Sequence, residues 1–275
     1  VGLVGAWRHA RRDVEPARID FLQAVRSTLA NSQFRAFLPT FILFNAAISL
    51  LTSALPYWAS VVLLRGLKPE IARVEFGQEL TLQVGPLEVG VGVGTAVGLL
   101  TGAAILVVLA SLPLVYRLSV RWGKAWVYSR ALLYGSLYLP WLAFMGFIPG
   151  VDPFLQALFF VALIGVPMAA VYTFPNAIQA DIVDYDYLLT GQRREAIYYA
   201  TQATLEKMAS ALYPAVLALL LSLGASADDP LGIRLVGPVS GLACLLGLLT
   251  FRAYRLPDQV TAETVRGKGL SLERA

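Results

Sequence analysis

Asn176–Tyr213 reads NAIQADIVDYDYLLTGQRREAIYYATQATLEKMASALY, and the rest of the chain is understood from it. It gathers Asp181, Asp184, Asp186, Arg193, Arg194, Glu195, Glu206 and Lys207 in a chain in which only 15% of residues are charged. Its first part reads as a charged turn between two apolar helices. Its last part carries a carboxylate and an amine into an apolar segment long enough to cross a membrane.

The composition agrees with that setting. Of the 275 residues, 57% are hydrophobic, and the mean hydropathy is +0.65. Soluble domains hold roughly 45–50% apolar residues. The excess here lies in long apolar blocks, as expected where lipid is the solvent. The net charge is +4, but the basic residues cluster between the blocks. Membrane topology accounts for that clustering, so nucleic acid is not an expected partner and the lipid bilayer is. Cys244 is the single cysteine and His9 the single histidine. An internal disulfide, a Cys- or His-based metal site and a Ser-His-Asp triad are therefore not expected. The chain opens on Val1, and Val1–Ala6 (VGLVGA) is too short to span, which reads as a piece of a longer protein.

Outward from the quoted stretch, the apolar blocks predict six spans: roughly Ala36–Leu64, Gly90–Tyr116, Ala125–Phe147, Phe154–Ala180, Glu195–Leu223 and Leu231–Ala253. The fold expected is an all-α membrane protein, a six-transmembrane-helix bundle over 36–255. A basic arm over 1–35 precedes it, and a tail over 256–275 follows. In the arm, Ile19, Leu22, Val25, Arg26 and Leu29 recur at helical spacing, and two readings stand: an amphipathic helix on the membrane face or a solvated linker. Between the first two spans, Glu79–Val84 (ELTLQV) alternates as a strand does. Gly90, Gly94, Gly98 and Gly102 put small residues on one face of the second span, either for static packing or as a sliding surface. Pro56, Pro167 and Pro175 are expected kinks.

With six spans, both termini fall on one side, here called side one. It collects 17 of the 22 Lys and Arg residues. The positive-inside rule then places side one, and both termini, in the cytoplasm of a plasma (inner) membrane protein.

Two groups of residues are candidates for chemistry. Glu206 and Lys207 lie about twelve residues into the fifth span, ~18 Å from its side-one end. A charge at that depth costs several kcal/mol unless paired or hydrated, so it marks a functional site by default. Tyr199, Gln202, Ser210 and Tyr213 share the Glu206 face, forming a stripe able to hydrogen-bond a polyol. Asn45, Ser49 and Thr52, with Ser53 and Pro56, form a second polar stripe on the first span. They serve either helix–helix hydrogen bonds or a cavity wall. The other group is the charged turn, where Asp181 and Asp184 stand three apart, with Asp186 and Glu195 nearby. Arg193 and Arg194 open the fifth span, where cations oppose the helix dipole, so they need partners elsewhere. The turn is either a solvated loop or a gate on side one, and Thr190-Gly191 permits the chain reversal.

Asp181-Ile-Val-Asp184-Tyr185, then Thr190-Gly191-Gln192-Arg193-Arg194-Glu195-Ala196, then Lys207 in the next span, resembles the glycoside-pentoside-hexuronide:cation symporter family. That family belongs to the major facilitator superfamily and includes the melibiose carriers. Asn31-Ser32-Gln33-Phe34 is similar to the N-x-x-F before its seventh helix. The resemblance implies a twelve-helix transporter in two six-helix halves, of which this chain matches the second, C-terminal half. It implies an N-terminal six-helix half as partner, a sugar or related small polar solute as cargo, and Lys207 near the sugar and cation sites. The family's cation-coordinating carboxylates lie in the first half, so neither coupling nor its ion carries over; Na+ or H+ are the ions such coupling uses. No cofactor is implied. Glu206 has no match in the family pattern.

Two alternatives follow from the residues. One is a stand-alone six-helix subunit or homodimer. The other is an intramembrane prenyltransferase-type enzyme, in which Asp181 and Asp184 would hold a Mg2+-diphosphate. That chemistry needs a second acidic cluster on the same side, and Asp228-Asp229 falls on the opposite one.

Overall fold

The computed structural model describes residues 21–63, 79–84, 87–226, 228–258 and 260–261. The helices are α1 (Phe21–Leu29), α2 (Ser32–Trp58), α3 (Val93–Trp122), α4 (Lys124–Tyr138), α5 (Pro153–Thr190), α6 (Glu195–Ser210), α7 (Tyr213–Ser222) and α8 (Leu231–Phe251). Between α2 and α3, β1 (Glu79–Val84) pairs antiparallel with β2 (Leu87–Gly92), Glu79 opposite Gly92 and Val84 opposite Leu87. The alternating ELTLQV run is thus a strand. The second span starts at Val93 instead of Gly90, because its expected first turn belongs to β2. Most of the N-terminal arm, the basic residues Arg65, Lys68 and Arg73, and the tail from 262 lie outside the described residues.

Five helices are long and apolar enough to cross a membrane: Ser32–Val62, Gly94–Trp122, Pro153–Thr190, Glu195–Ser222 and Leu231–Phe251. The expected third span is α4 continued by a 3-10 segment, Leu139–Phe144. Pro140 supplies no amide hydrogen there, and the backbone tightens past it. Pro56 marks a similar change near the end of α2, which runs on as a π-helical turn over Ala59–Leu63. The fifth span is two helices, not one. Pro214 cannot donate to the carbonyl of Ser210, and Ala211–Leu212 form a turn between α6 and α7.

α5 differs most from expectation. It has 38 residues, ~57 Å of helix against a ~30 Å hydrocarbon core, and it carries the acidic run inside it. Asp181–Thr190 is helix, and only Gly191–Arg194 turns. The stop is local: Gly191 takes φ 69° and donates its N–H to the carbonyl of Tyr187 at 2.8 Å, a left-handed cap that glycine adopts without strain.

The bundle core joins α2, α4, α5, α6 and α8 through Phe34, Phe37, Tyr128, Leu132, Ile178 and Tyr198, all fully buried. Lipid offers no hydrophobic drive between helices, so close backbone approach and interhelical hydrogen bonds hold them. Both occur along α8. The Thr40 hydroxyl donates to the carbonyl of Gly247 at 2.8 Å, and Ser240 donates to Ala47 at 3.2 Å, tying α8 to α2. On another face of α8, a Cβ at Gly237 would stand 2.5 Å from the Leu139 carbonyl, and one at Gly241 would stand 2.7 Å from Pro140. Glycine packing therefore lies on the sixth span and, at Gly165 of α5, where a Cβ would stand 2.8 Å from Val107 of α3, on the fourth. Gly94, Gly98 and Gly102 of α3 have nothing within 4 Å, so that stripe is not a packing seam within this chain.

The contrast is measurable. Gly237→Ala is expected to cost about 1–3 kcal/mol through overpacking. Gly98→Ala should be neutral or stabilising, since alanine is the better helix former by about 1 kcal/mol. Thermal midpoints of the solubilised protein check this; equal losses at both positions would contradict the packing described.

Candidate functional site

At side one, polar side chains from α1, α2, α4, α5, α6 and the segment after α8 meet. Asn31 caps α2 by accepting the Gln33 and Phe34 amides at 2.9 and 3.4 Å. Its Nδ2 donates to the Tyr198 hydroxyl of α6 at 3.1 Å. Tyr198 packs edge-on against Phe34, with ring centroids 5.0 Å apart. Thr28 of α1 reaches Thr201 at 3.4 Å, so the amphipathic segment is a helix docked on α6. Asp186, 4% exposed, accepts from Arg194 Nε at 2.9 Å and Nη2 at 2.5 Å. This two-point fork is the geometry in which arginine binds carboxylate best.

The connection continues through α4. Lys124 Nζ hydrogen-bonds Asp181 Oδ1 at 2.6 Å. It lies 2.5 Å from Oδ2 as well, an electrostatic contact without a directed hydrogen bond. The backbone N–H of Lys124 donates to Asp258 Oδ1 at 3.0 Å, so the tail carboxylate sits at the positive end of α4. This needs glycine at position 123, where φ is 88° and a Cβ would stand 2.2 Å from Asp258 Oδ2. The segment after α8 returns to α2, where the Arg255 amide donates to Gln33 Oε1 at 2.8 Å. Tyr254 and Leu256 are buried against the core, so the start of the tail is packed. Burial and the nearby charges of Asp181 and Asp258 push the Tyr254 phenol well up, and it stays protonated across the physiological range.

These contacts sort the gate candidates. Asp181, Asp186 and Arg194 are in the ring. Asp184 is exposed and does not share the setting of Asp181, because on a helix that continues past them Asp181 turns inward toward Lys124. Arg193 lies over the Tyr187 ring at 5.7 Å, and Glu195 is exposed at the first residue of α6. Arg194 precedes α6 instead of opening it. Lys124 and Asp258 were missed. Lys124 looked like one more interfacial charge in a basic turn, and nothing in the tail's composition singles out Asp258.

The midspan stripe is less assembled. Gln202 is buried, and its Oε1 has no hydrogen-bond partner among the described residues. Tyr199, Glu206 and Ser210 are half-buried, and Lys207 is exposed. Ser210 turns back to the Lys207 carbonyl at 2.7 Å. Tyr213, displaced by the break before α7, donates to the Ile42 carbonyl of α2 at 3.4 Å. Among the described residues, neither Glu206 nor Lys207 forms an ion pair. On α2, Asn45 bonds the Phe41 carbonyl, and Thr52 bonds those of Ile48 and Ser49. Those two side chains serve their own helix, not a neighbouring one. Ser49 is half-buried and Thr52 exposed.

A cavity of about 600 Å³ lies elsewhere, among α2, α3, α5 and α8. Thr52, Thr101 and Tyr172 are the side chains with hydroxyls in a wall otherwise apolar. Neither Glu206 nor Lys207 reaches it.

Removing one partner of a buried ion pair leaves the other uncompensated. Asp186→Asn is thus expected to lower stability by about 3 kcal/mol, whereas Asp184→Asn changes it by no more than a few tenths. Thermal midpoints compare the two, and equal effects would contradict the different burial of these carboxylates.

Comparison with curated proteins yields no match, and comparison with solved structures yields none. A protein-family match described as MFS/sugar transport protein covers residues 89–255. It takes in α3 to α8, with Lys124, Asp181, Asp186, Arg194 and both midspan charges. The family is one of transporters and not of enzymes. With five apolar helices of membrane-crossing length and a family match over more than half of its residues, the chain is an integral membrane protein that belongs to the MFS/sugar transport protein family.

Proposed function

We propose that this chain is the C-terminal half of a secondary active transporter moving a sugar or related small polar solute. In this reading transport is coupled to Na+ or H+ and proceeds by alternating access. The observation that carries the proposal is Lys207: an exposed ammonium in the apolar segment Glu195–Ser222, beside a half-buried Glu206, with no ion-pair partner among the described residues. A charge at that depth needs water, a counter-charge or cargo. Gln202 adds a buried acceptor one turn away, and Tyr199 and Ser210 complete a polar lining. The family match favours sugar, and the resemblance of the D-x-x-D-Y and T-G-x-R-R runs to the melibiose carriers favours the finer assignment.

The side-one ring is the gate of this transporter. Closed, Asp186–Arg194 and Lys124–Asp181 hold the ends of α4, α5 and α6 together. Opening toward side one breaks at least one of these pairs. Side one is the cytoplasmic side, because it collects most of the basic residues. A six-helix N-terminal half supplies the opposite wall of the Lys207 site.

In cells producing the protein, Lys207→Ala should abolish accumulation of the cargo, with membrane insertion unchanged. Normal accumulation by this variant would overturn the site. Arg194→Gln should allow cargo to equilibrate but not to concentrate, since a gate that does not hold shut uncouples transport.

A further inference from the structure

Glu206 carries a carboxylate to the middle of the apolar segment Glu195–Ser222. Among the described residues it forms no ion pair. Lys207 does not answer its charge: consecutive helical residues point ~100° apart, and Glu206 is half-buried where Lys207 is exposed. The carboxylate lies on the flank of α6 that turns toward α2. Gln202, one turn before it, is 7% exposed. Tyr213 lies within electrostatic reach beyond it, and its hydroxyl donates to the Ile42 carbonyl of α2 at 3.4 Å. The orientation of Glu206 therefore follows from contacts within this chain, whatever stands against the open face of Lys207.

The packed neighbours bring no counter-charge. α2 has no titratable side chain between Arg35 and Tyr57, and α7 has only Tyr213. On α1, Arg26 is exposed at side one. On α5, Asp181 and Asp186 are committed to Lys124 and Arg194. Asp184, Tyr185 and Tyr187 lie nearer side one than Glu206, and Tyr172 nearer side two. On α6 itself, Tyr199 stands within reach of Glu195 and Asp184, which add negative charge only.

A bare charge at this depth is costly on every scale of membrane insertion. A carboxylate sheds that cost by taking up a proton, which leaves no charge to bury. A hard metal cation instead needs a cage of several oxygen ligands. No group of three acidic or other metal-binding side chains occurs among the described residues. The neighbouring Lys207 also opposes a second cation, whereas a proton needs one oxygen alone.

We propose that Glu206 carries the coupling proton, so that the coupled ion is H+ and its site lies in this half of the transporter. The proposal rests on the Lys207 reading above and names what drives it. Loading forms one O–H bond on the Glu206 carboxylate with a proton from water on one side of the membrane. Release breaks that bond and returns the proton to water on the other side, and nothing is oxidised or reduced. With Glu206 neutral, its face offers hydrogen bonds and no net negative charge, so the loaded site closes without enclosing a bare carboxylate.

The test uses the transporter with both its halves, reconstituted in vesicles. Infrared difference spectra between mildly acidic and mildly alkaline buffer read the proton without any cargo. They should show a carboxyl C=O band that disappears toward alkaline pH, is missing in Glu206→Gln and returns, shifted, in Glu206→Asp. Transport is read with radiolabelled melibiose as the probe. The wild type should concentrate it when the outside is the more acidic. Glu206→Gln should lose that concentration yet still exchange melibiose in counterflow, which needs no ion gradient. A Glu206 that stays ionised, as a standing pair with a cation of the N-terminal half would keep it, gives no such band and overturns the proposal. Melibiose concentrated by a Na+ gradient at equal pH, or concentrated as well by Glu206→Gln as by the wild type, overturns it too. Counterflow absent from the wild type would count against the sugar reading alone, and the infrared band then decides the proton.

Discussion

The Asp186 carboxylate is buried, and burying an unpaired carboxylate is among the costliest things a fold can do. Arg194 resolves this with a two-point contact. The rest of side one is arranged so that the contact can form. α5 must run well past the membrane to carry Asp186 there, Gly191 must stop it sharply, and the four-residue turn must return Arg194 against the helix it has just left. Tyr198, one turn into α6, then meets Asn31 at the cap of α2. One turn and a half earlier on α5, Asp181 meets Lys124 at the start of α4, and Asp258 caps that same helix end. Salt bridges of this burial add little net stability, but they define one arrangement sharply against its alternatives. That property suits a gate, which must be fully made or fully broken.

The side-two half of the bundle is built differently. Between α8 and the 3-10 segment after α4, backbone packs almost directly on backbone at Gly237 and Gly241. Between α2, α3 and α5 a broad apolar cavity is left. Among polar side chains of this half, Thr52 and Ser60 bond their own helix carbonyls, while Trp58 and Arg234 cross to the carbonyls of Met145 and Ala143. The bundle is thus cross-linked by ion pairs at one end and by close backbone contact and hydrogen bonds to backbone carbonyls at the other. Lys207 and Glu206 lie between these regimes, on a helix that breaks four residues beyond Lys207.

Much of this was legible in the sequence. Hydropathy located the spans, because lipid forces long apolar runs on any helix that crosses it. The alternation in ELTLQV located β1, and Thr190-Gly191 located the chain reversal, although α5 was expected to end ten residues earlier, at Ala180. The importance of Arg194 was readable from a cation at a helix start, where the dipole disfavours it unless a partner is supplied. Four things were not legible. The acidic run looked like a turn because charge was taken as a sign of solvent, yet Asp181 and Asp186 are inward on a continuing helix. The glycine seam was assigned to α3, whose spacing by four is the more regular, while the close approach occurs on α8; spacing shows which residues share a face, not which face meets a neighbour. Asp258 gave no signal, since its role depends on where the chain returns after α8. The stripe around Glu206 was read as one continuous helix face, and the Pro214 break displaces Tyr213 from it.

In the proposed transporter, the side-one ring closes the path to the midspan charges. Cys244 is buried and is the only cysteine, so Cys244→Ser gives a background in which Ala203→Cys, an exposed position one turn from Lys207, is the single thiol. Its rate of labelling by a membrane-impermeant maleimide applied from side one measures that path directly. Labelling is expected to be slow with the ring intact and markedly faster once Arg194→Gln breaks the pair to Asp186. Labelling that is fast from the start, or unchanged by Arg194→Gln in a protein that remains folded, would contradict it.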